Sequence, residues 1–294
     1  MPTIPSNRAV VTDAGERVAL HVIRALGRAG IDVVATEVAE RCSHCPGLAS
    51  RYAVGARALA AWDDTDSEWS AALLEVGREG DVLMPACFNS LLRVIRNEDA
   101  LQTVFRTLLP PEDSLLKAND KWSLHEFSRT QEVRTPKTWR PEDVAELERI
   151  VESVELPIIV KLRHDMGLCL EPGQRYAMPT SPGGLWDTWQ RFDDLQSQPL
   201  VQQFIPGESY GFEALYDRDH RCVASFQHRR LVECPPEGGP SAVCESVRVP
   251  ELEEYGRRLL DELKWTGVAR WSSAAAARRA SSICWRLTPV SGVL

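Results

Sequence analysis

Long apolar runs are missing from this sequence: nowhere do its 294 residues string together the roughly 20 apolar positions that a bilayer-spanning helix requires, so no membrane span is expected. An excess of positive charge is missing too. Lys and Arg number 34 against 42 Asp and Glu, a formal net charge of -8. General nucleic-acid or anionic-membrane binding needs clustered cations that release counterions, so neither is expected here. Residues 1–7 are short and polar, with no apolar signal core behind them, which points to a soluble, cytoplasmic protein. The eight cysteines lie scattered and read as reduced thiols, not a disulfide framework. Cys42-Ser43-His44-Cys45 has no second CxxC or HxxxH partner, and a zinc site needs four ligands, so its expected role is structural. The GxGxxG fingerprint is also absent, which weighs against a dinucleotide-dependent enzyme.

What is present suffices for real cores. Hydrophobic residues make up 44% of the chain and charged ones 26%, and the length exceeds the usual single-core size, so two or three lobes are expected. Ala9-Val10-Val11-Thr12 reads as a strand, Asp13-Ala14-Gly15 as a turn, and Val18, Leu20, Val22, Ile23 and Leu26 as a helix that Gly30 ends. Ile31 to Ala35 is the next strand. That βαβ unit predicts a doubly wound parallel sheet, continued by Val82-Leu83-Met84-Pro85 and a helix from Ser90 to Asn97. Pro110-Pro111-Glu112-Asp113 breaks the lobe.

A second lobe follows. Asp120 opens a helix carrying Trp122, Leu124 and Phe127, and Pro141-Glu142-Asp143 opens another carrying Leu147, Ile150 and Val151. Ile158-Ile159-Val160-Lys161-Leu162 is a buried strand with a lysine near its end. A buried ammonium without a partner is strongly disfavoured, so Lys161 must have one. From Leu200 a third segment runs through Phe212 to Asp217 and Val223 to Phe226, two strands around a polar turn, and then into an amphipathic helix from Glu251 to Leu263.

Four stretches in order carry the chemistry: Lys117-Ala118-Asn119-Asp120-Lys121, the strand-borne Lys161, Val201-Gln202-Gln203-Phe204-Ile205-Pro206-Gly207-Glu208, and Phe226-Gln227-His228-Arg229-Arg230-Leu231 followed by residues 235–241. With their spacing they resemble the ATP-grasp superfamily, in the carboxylate-amine ligase branch that includes the carbamoyl phosphate synthetase large subunit, over residues 9–269. The resemblance implies an N-terminal doubly wound pre-ATP-grasp domain over 1–112. It implies a two-lobed α+β ATP-grasp domain after it, with a small lobe over 113–199 and a partial large lobe over 200–269. It implies ATP as cofactor, a carboxylate and an amine or thiol as substrates, and allows a homodimer. Lys121 and Lys161 match the lysines that reach the phosphates, and two ammonium groups offset several phosphate charges. Gln203, Phe204 and Ile205 match the backbone that meets the adenine edge, Gln202 stands where relatives often carry an acid, and Glu208 matches the carboxylate on the ribose. Arg230, with His228 and Arg229, is the candidate for binding phosphate or the acidic substrate and is assigned the catalytic role. Arg163-His164-Asp165-Met166-Gly167 takes the place of the glycine-rich phosphate lid and keeps only Gly167.

The family's metal ligands have no counterpart. Magnesium would be held by an acid in a V-E-F strand and by E-x-N-P-R, yet the chain reads Arg270-Trp271-Ser272-Ser273 and has no Glu, Asp or Asn from there to Leu294. Codon arithmetic offers a reason. The string from Ile283 to Val293 can be encoded so that the neighbouring frame reads Y-L-L-E-V-N-P-R-F-W-G, and Trp271-Ser272-Ser273 can hide V-E-F. The expectation is a frameshifted, aberrant tail over 270–294, no bound Mg2+, little or no ligase activity, and a C-terminal sheet left partly unpaired. The alternative is a non-catalytic nucleotide-binding regulatory or scaffold protein with a structured tail.

Overall fold

The computed structural model describes residues 7–59, 65–164, 174–196, 198–234, 241–275 and 283–284. The expected βαβ unit is there as β1 (Arg8–Val11), α1 (Arg17–Arg28) and β2 (Asp32–Val38), with β1 and β2 parallel. Ala19, Val22 and Ile23 form the buried stripe of α1, and the chain turns back at Gly30, whose φ of 78° is the left-handed conformation of a helix end. β3 (Ala53–Leu59), α2 (Asp66–Val76), β4 (Asp81–Met84), α3 (Phe88–Arg96), α4 (Glu98–Leu101) and β5 (Phe105–Arg106) complete the lobe. Its sheet has the order β3-β2-β1-β4-β5 with parallel pairings, the doubly wound arrangement expected. Cys42 and Cys45 lie at a short 3₁₀ turn, where the Cys42 thiol donates to the Val38 carbonyl and Cys45 is buried in the core. Among the described residues no group of His, Cys, Asp and Glu is placed to hold a metal ion. No helix there is long and apolar enough to cross a membrane.

The small lobe comprises α5 (Glu112–Asn119), α6 (Lys121–Thr130), β6 (Thr138–Trp139), α7 (Val144–Ser153), β7 (Ile158–Lys161), β8 (Tyr176–Ala177), α8 (Pro182–Leu195) and β9 (Leu200–Gln203). Its sheet runs β6-β9-β7-β8. Strand alternation gives the sheet two unlike faces. Ile158, Val160 and Val201 pack on Leu147 and Ile150 of α7 and on Leu185, Trp189 and Phe192 of α8. Lys161, Gln202 and Thr138 share the opposite face. One boundary moves as a result. The strand beginning at Leu200 was assigned to the large lobe, but its hydrogen bonds go to β6 and β7, so it belongs to the small one and the crossing between sheets falls at 204–207.

The large lobe holds β10 (Glu208–Tyr216), β11 (Cys222–Glu233), β12 (Ser241–Ser246), α9 (Pro250–Glu262), β13 (Gly267–Ala275) and β14 (Ile283–Cys284), in an antiparallel sheet of order β12-β11-β10-β13-β14. Phe212, Ala214, Tyr216, Ala269 and Trp271 form its apolar face, which packs with Leu252, Leu259 and Leu260 of α9. The same cluster takes in Phe88, Leu91 and Leu92 of α3 and Leu115 and Leu124 of α5 and α6, so one core joins all three lobes. At Gly267, φ is 82° and an added Cβ would meet the Leu108 carbonyl oxygen at 2.5 Å, which demands glycine at this inter-lobe contact.

The expectation of an unpaired sheet after residue 269 needs correction. β13 continues to Ala275 and matches β10 residue for residue from Tyr216↔Gly267 to Glu208↔Ala275. Ladder hydrogen bonds come from the backbone, so an altered side-chain sequence keeps the strand wherever it still supplies apolar groups on the core face, as buried Trp271 does. Residues 276–282 and 285–294, which hold most of the tail expected to be aberrant, lie outside the described residues.

Candidate functional site

The Lys161 ammonium sits at the end of a buried strand, with 5% of the residue exposed, and donates to the Gln202 side-chain oxygen at 2.8 Å. A neutral amide is thus one partner of the buried ammonium. Gln202 in turn donates from Nε2 to Thr138 Oγ1 at 2.7 Å, which fixes the amide orientation. Three strands thus lock one cation in place.

Lys121 is the first residue of α6, and its position follows from the helix cap. Asp120 accepts from the backbone N–H groups of Trp122 and Ser123, both at 2.9 Å, and its other oxygen meets the Arg163 guanidinium at 2.5 Å. Burial works against the Asp120 charge, but the Ser123 N–H and the Arg163 guanidinium outweigh it and hold the carboxyl below its usual range. The Arg163 carbonyl accepts both from Lys121 N at 3.0 Å and from Lys121 Nζ at 3.2 Å, which ties the start of α6 to the end of β7. Lys121 is thereby held just past the strand end that carries Lys161. Arg163 had been read only as part of the lid position; the rest of that stretch, Asp165 to Gly167, lies outside the described residues.

Past the sheet, Gln203 is exposed while Phe204 and Ile205 are half-buried. Gln203 N donates to the Lys137 carbonyl at 2.9 Å. Glu208 starts β10 and is exposed, but its carboxylate is engaged: Arg229 donates to it at 2.7 Å and the Tyr210 hydroxyl at 2.6 Å. A ribose there would have to replace those contacts.

The pleat of β11 splits the basic triplet. Arg229 turns to Glu208 and Glu245. His228 and Arg230 lie on the opposite face, across from Gly211 and Ser209. There Glu213 accepts from His228 Nδ1 at 3.3 Å and from Arg270 Nε at 3.3 Å, while Arg230 Nη2 donates to Ser272 Oγ at 2.7 Å and Nη1 to Glu233 at 3.2 Å. An added Cβ at Gly211 would collide with the His228 ring, so a bare backbone is what admits the imidazole. Burial pushes the Arg270 pKa down; Glu213 opposes that, and the neighbouring Arg230 and Arg17 guanidiniums reinforce it. Arg230 and Arg270 therefore share the face that carries Glu213. Sequence reasoning missed Glu213, Gly211 and Arg270. The i, i+2 spacing of Gly211 and Glu213 on a strand was the signal that could have found two of them.

Ser272 lies in the stretch where the resemblance expects the acid of V-E-F. A hydroxyl already bonded to a guanidinium is a poor magnesium ligand, so the residues described here do not fit the ion.

No protein-family model and no curated protein matches the sequence. Solved structures do. The chain is similar to N5-carboxyaminoimidazole synthetase from Staphylococcus aureus complexed with ADP, with TM-score 0.67 and 11% identity over 95% of this chain and 69% of that one. It is similar to the biotin carboxylase domain of Hydrogenobacter thermophilus 2-oxoglutarate carboxylase, solved with MgADP, ADP and bicarbonate: TM-score 0.69, 15% identity, 95% and 62% coverage. It is also similar to L-amino acid ligase from Bacillus licheniformis, with TM-score 0.64, 12% identity, and 96% and 66% coverage. The chain spans 62% to 69% of the length of these three proteins. At such identities the likeness is one of fold: this chain shares the fold of these synthetase, carboxylase-domain and ligase structures.

Proposed function

We propose that this chain holds ATP between the Lys161 face of the small-lobe sheet and the Glu213–Arg230 face of the large-lobe sheet. It derives from enzymes that join a carboxylate to an amine or thiol through an acyl phosphate, and as it stands it has little or no turnover. The observation that carries the reading is the position of the buried Lys161, whose ammonium is fixed by the Gln202 amide on the face that Thr138 and Gln202 share. Lys121 adds a second cation just past that strand end. Gln203, Phe204 and Ile205 offer backbone and half-buried side-chain surface for the adenine, and Glu208 takes the ribose once it leaves Arg229 and Tyr210. Arg230, on the cationic face, binds the acidic substrate or the transferred phosphoryl group.

Inactivity follows from charge. Phosphoryl transfer depends almost wholly on neutralisation and positioning, and the acids that would hold magnesium are replaced by Ser272 and a tail without Asp, Glu or Asn. The coding DNA through and beyond residue 269 tests the origin of that tail: codons unable to yield V-E-F and E-V-N-P-R in the neighbouring frame exclude a frameshift. The regulatory or scaffold reading draws support from β13, which pairs along its whole length and buries Trp271 despite the change. Turnover assays on the chain beside a frame-restored version separate the two readings. Gain of activity on restoration supports the ligase origin; a restored chain that binds ATP without turnover supports the regulatory one.

A further inference from the structure

A cavity of about 490 Å³ lies on the small lobe between α6 and the extended segment leading into β6, and none of the residues assigned to the nucleotide lines it. Arg129, Arg134 and Lys137 contribute three cations to its wall against the single carboxylate of Glu132. Glu126, outside the wall, shares the charge of Arg129 through a 3.1 Å ion pair. His125 completes the lining. Its Nδ1 is buried and has no hydrogen-bond partner among the described residues, a cost that a bound acceptor or donor would remove. Burial lowers the His125 pKa against the opposing charge of Glu126, and Arg129 and Lys161 add to the lowering, so the ring favours its neutral form near pH 7 and is sensitive to any anion placed beside it. Thr138, on the rim, is also the residue that orients Gln202 under Lys161.

We infer that this cavity is a second ligand site, separate from the nucleotide cleft, and that it takes a small molecule bearing an oxyanion, phosphoryl or carboxylate. The volume lies within the range of small-molecule pockets and exceeds what a single inorganic ion fills, so the oxyanion is one end of a larger ligand. Arg134 and Lys137 would meet the oxyanion, and the His125 ring would turn one nitrogen to it or to the group beside it.

The test uses the full-length chain and the ring resonances of His125, assigned with His125→Asn. Inorganic phosphate and citrate are titrated separately, each with and without saturating ATP. The inference expects saturable shifts of the His125 ring with at least one of the two anions, retained in the presence of ATP and weakened tenfold or more in the Arg134→Gln, Lys137→Gln double variant. Response to phosphate alone or to citrate alone identifies the oxyanion and upholds the site. Shifts that are not saturable, that the double variant leaves unchanged, or that ATP abolishes by competition overturn it, the last because the anion would then be occupying the nucleotide cleft. Both substituted residues are exposed, and the unchanged thermal unfolding expected of the variant guards against misfolding as the cause.

Discussion

Lys161 and Gln202 face each other across adjacent antiparallel strands, ammonium to amide oxygen at 2.8 Å, with both residues 5% exposed. A carboxylate in place of the amide would neutralise the lysine before any ligand arrived. Replacing Lys161 with Met should therefore weaken ATP binding about 10- to 100-fold, the worth of a charge-assisted hydrogen bond of about 1.5–3 kcal/mol, while leaving the fold intact. Replacing Gln202 with Leu should instead destabilise the chain by about 1–3 kcal/mol, because the buried ammonium and Thr138 each lose a hydrogen bond. Calorimetric titration and chemical denaturation read the two effects separately.

Asp120 links the first helix turn of α6 to Arg163. Asp120→Ala removes a cap and an ion-paired contact and should cost about 1–2 kcal/mol in denaturant unfolding. The folded-state pKa is depressed, so the stabilisation is complete above the ordinary carboxylate range and is lost as pH falls through the lower folded value. Acid titration of stability should show wild type losing its advantage over Asp120→Ala below about pH 4.

His125 acts in the opposite chemical sense with the same direction in pH. Its folded pKa is lowered, so the unfolded chain binds the extra proton first. Stability is full above the unfolded value near 6.5 and declines as pH falls below it. His125→Asn should flatten the difference in stability between pH 7.5 and pH 5.5; an unchanged slope would show that the ring is not held neutral.

Much of this was legible beforehand, for identifiable reasons. The βαβ start, the Asp120 cap and the strand bearing Lys161 announce themselves by local pattern: apolar runs, turn residues and caps act within a few positions. The Gln202–Thr138 bond, the Glu213 contacts with His228 and Arg270, and the membership of β9 in the small-lobe sheet depend on which strands become neighbours, and no local pattern carries that. The basic run His228-Arg229-Arg230 looked like one patch. Only the pleat, once its register is known, sends Arg229 to Glu208 and leaves His228 and Arg230 together. Likewise, the backbone pairing of β13 needed no signal from the side-chain chemistry at 270–275.

Gly211 gives a packing test of the cationic face. Gly211→Ala should displace His228 from Glu213 and cost about 1–3 kcal/mol, the usual penalty of an added methyl in a tight site. The His228 ring resonances should move in the variant. If stability and resonances both stay as in wild type, the contact does not hold the ring.

The central claim is that this chain holds ATP without using it. A titration of the full chain with ATP, followed in the same cell for phosphate release with Mg2+ present, tests it most directly. The account predicts saturable, one-to-one ATP binding that NAD does not reproduce, that Lys161→Met weakens about 10- to 100-fold, and that proceeds with no phosphate release above background. Failure to bind ATP, or Mg2+-dependent turnover by the chain with Ser272 in place, would contradict it.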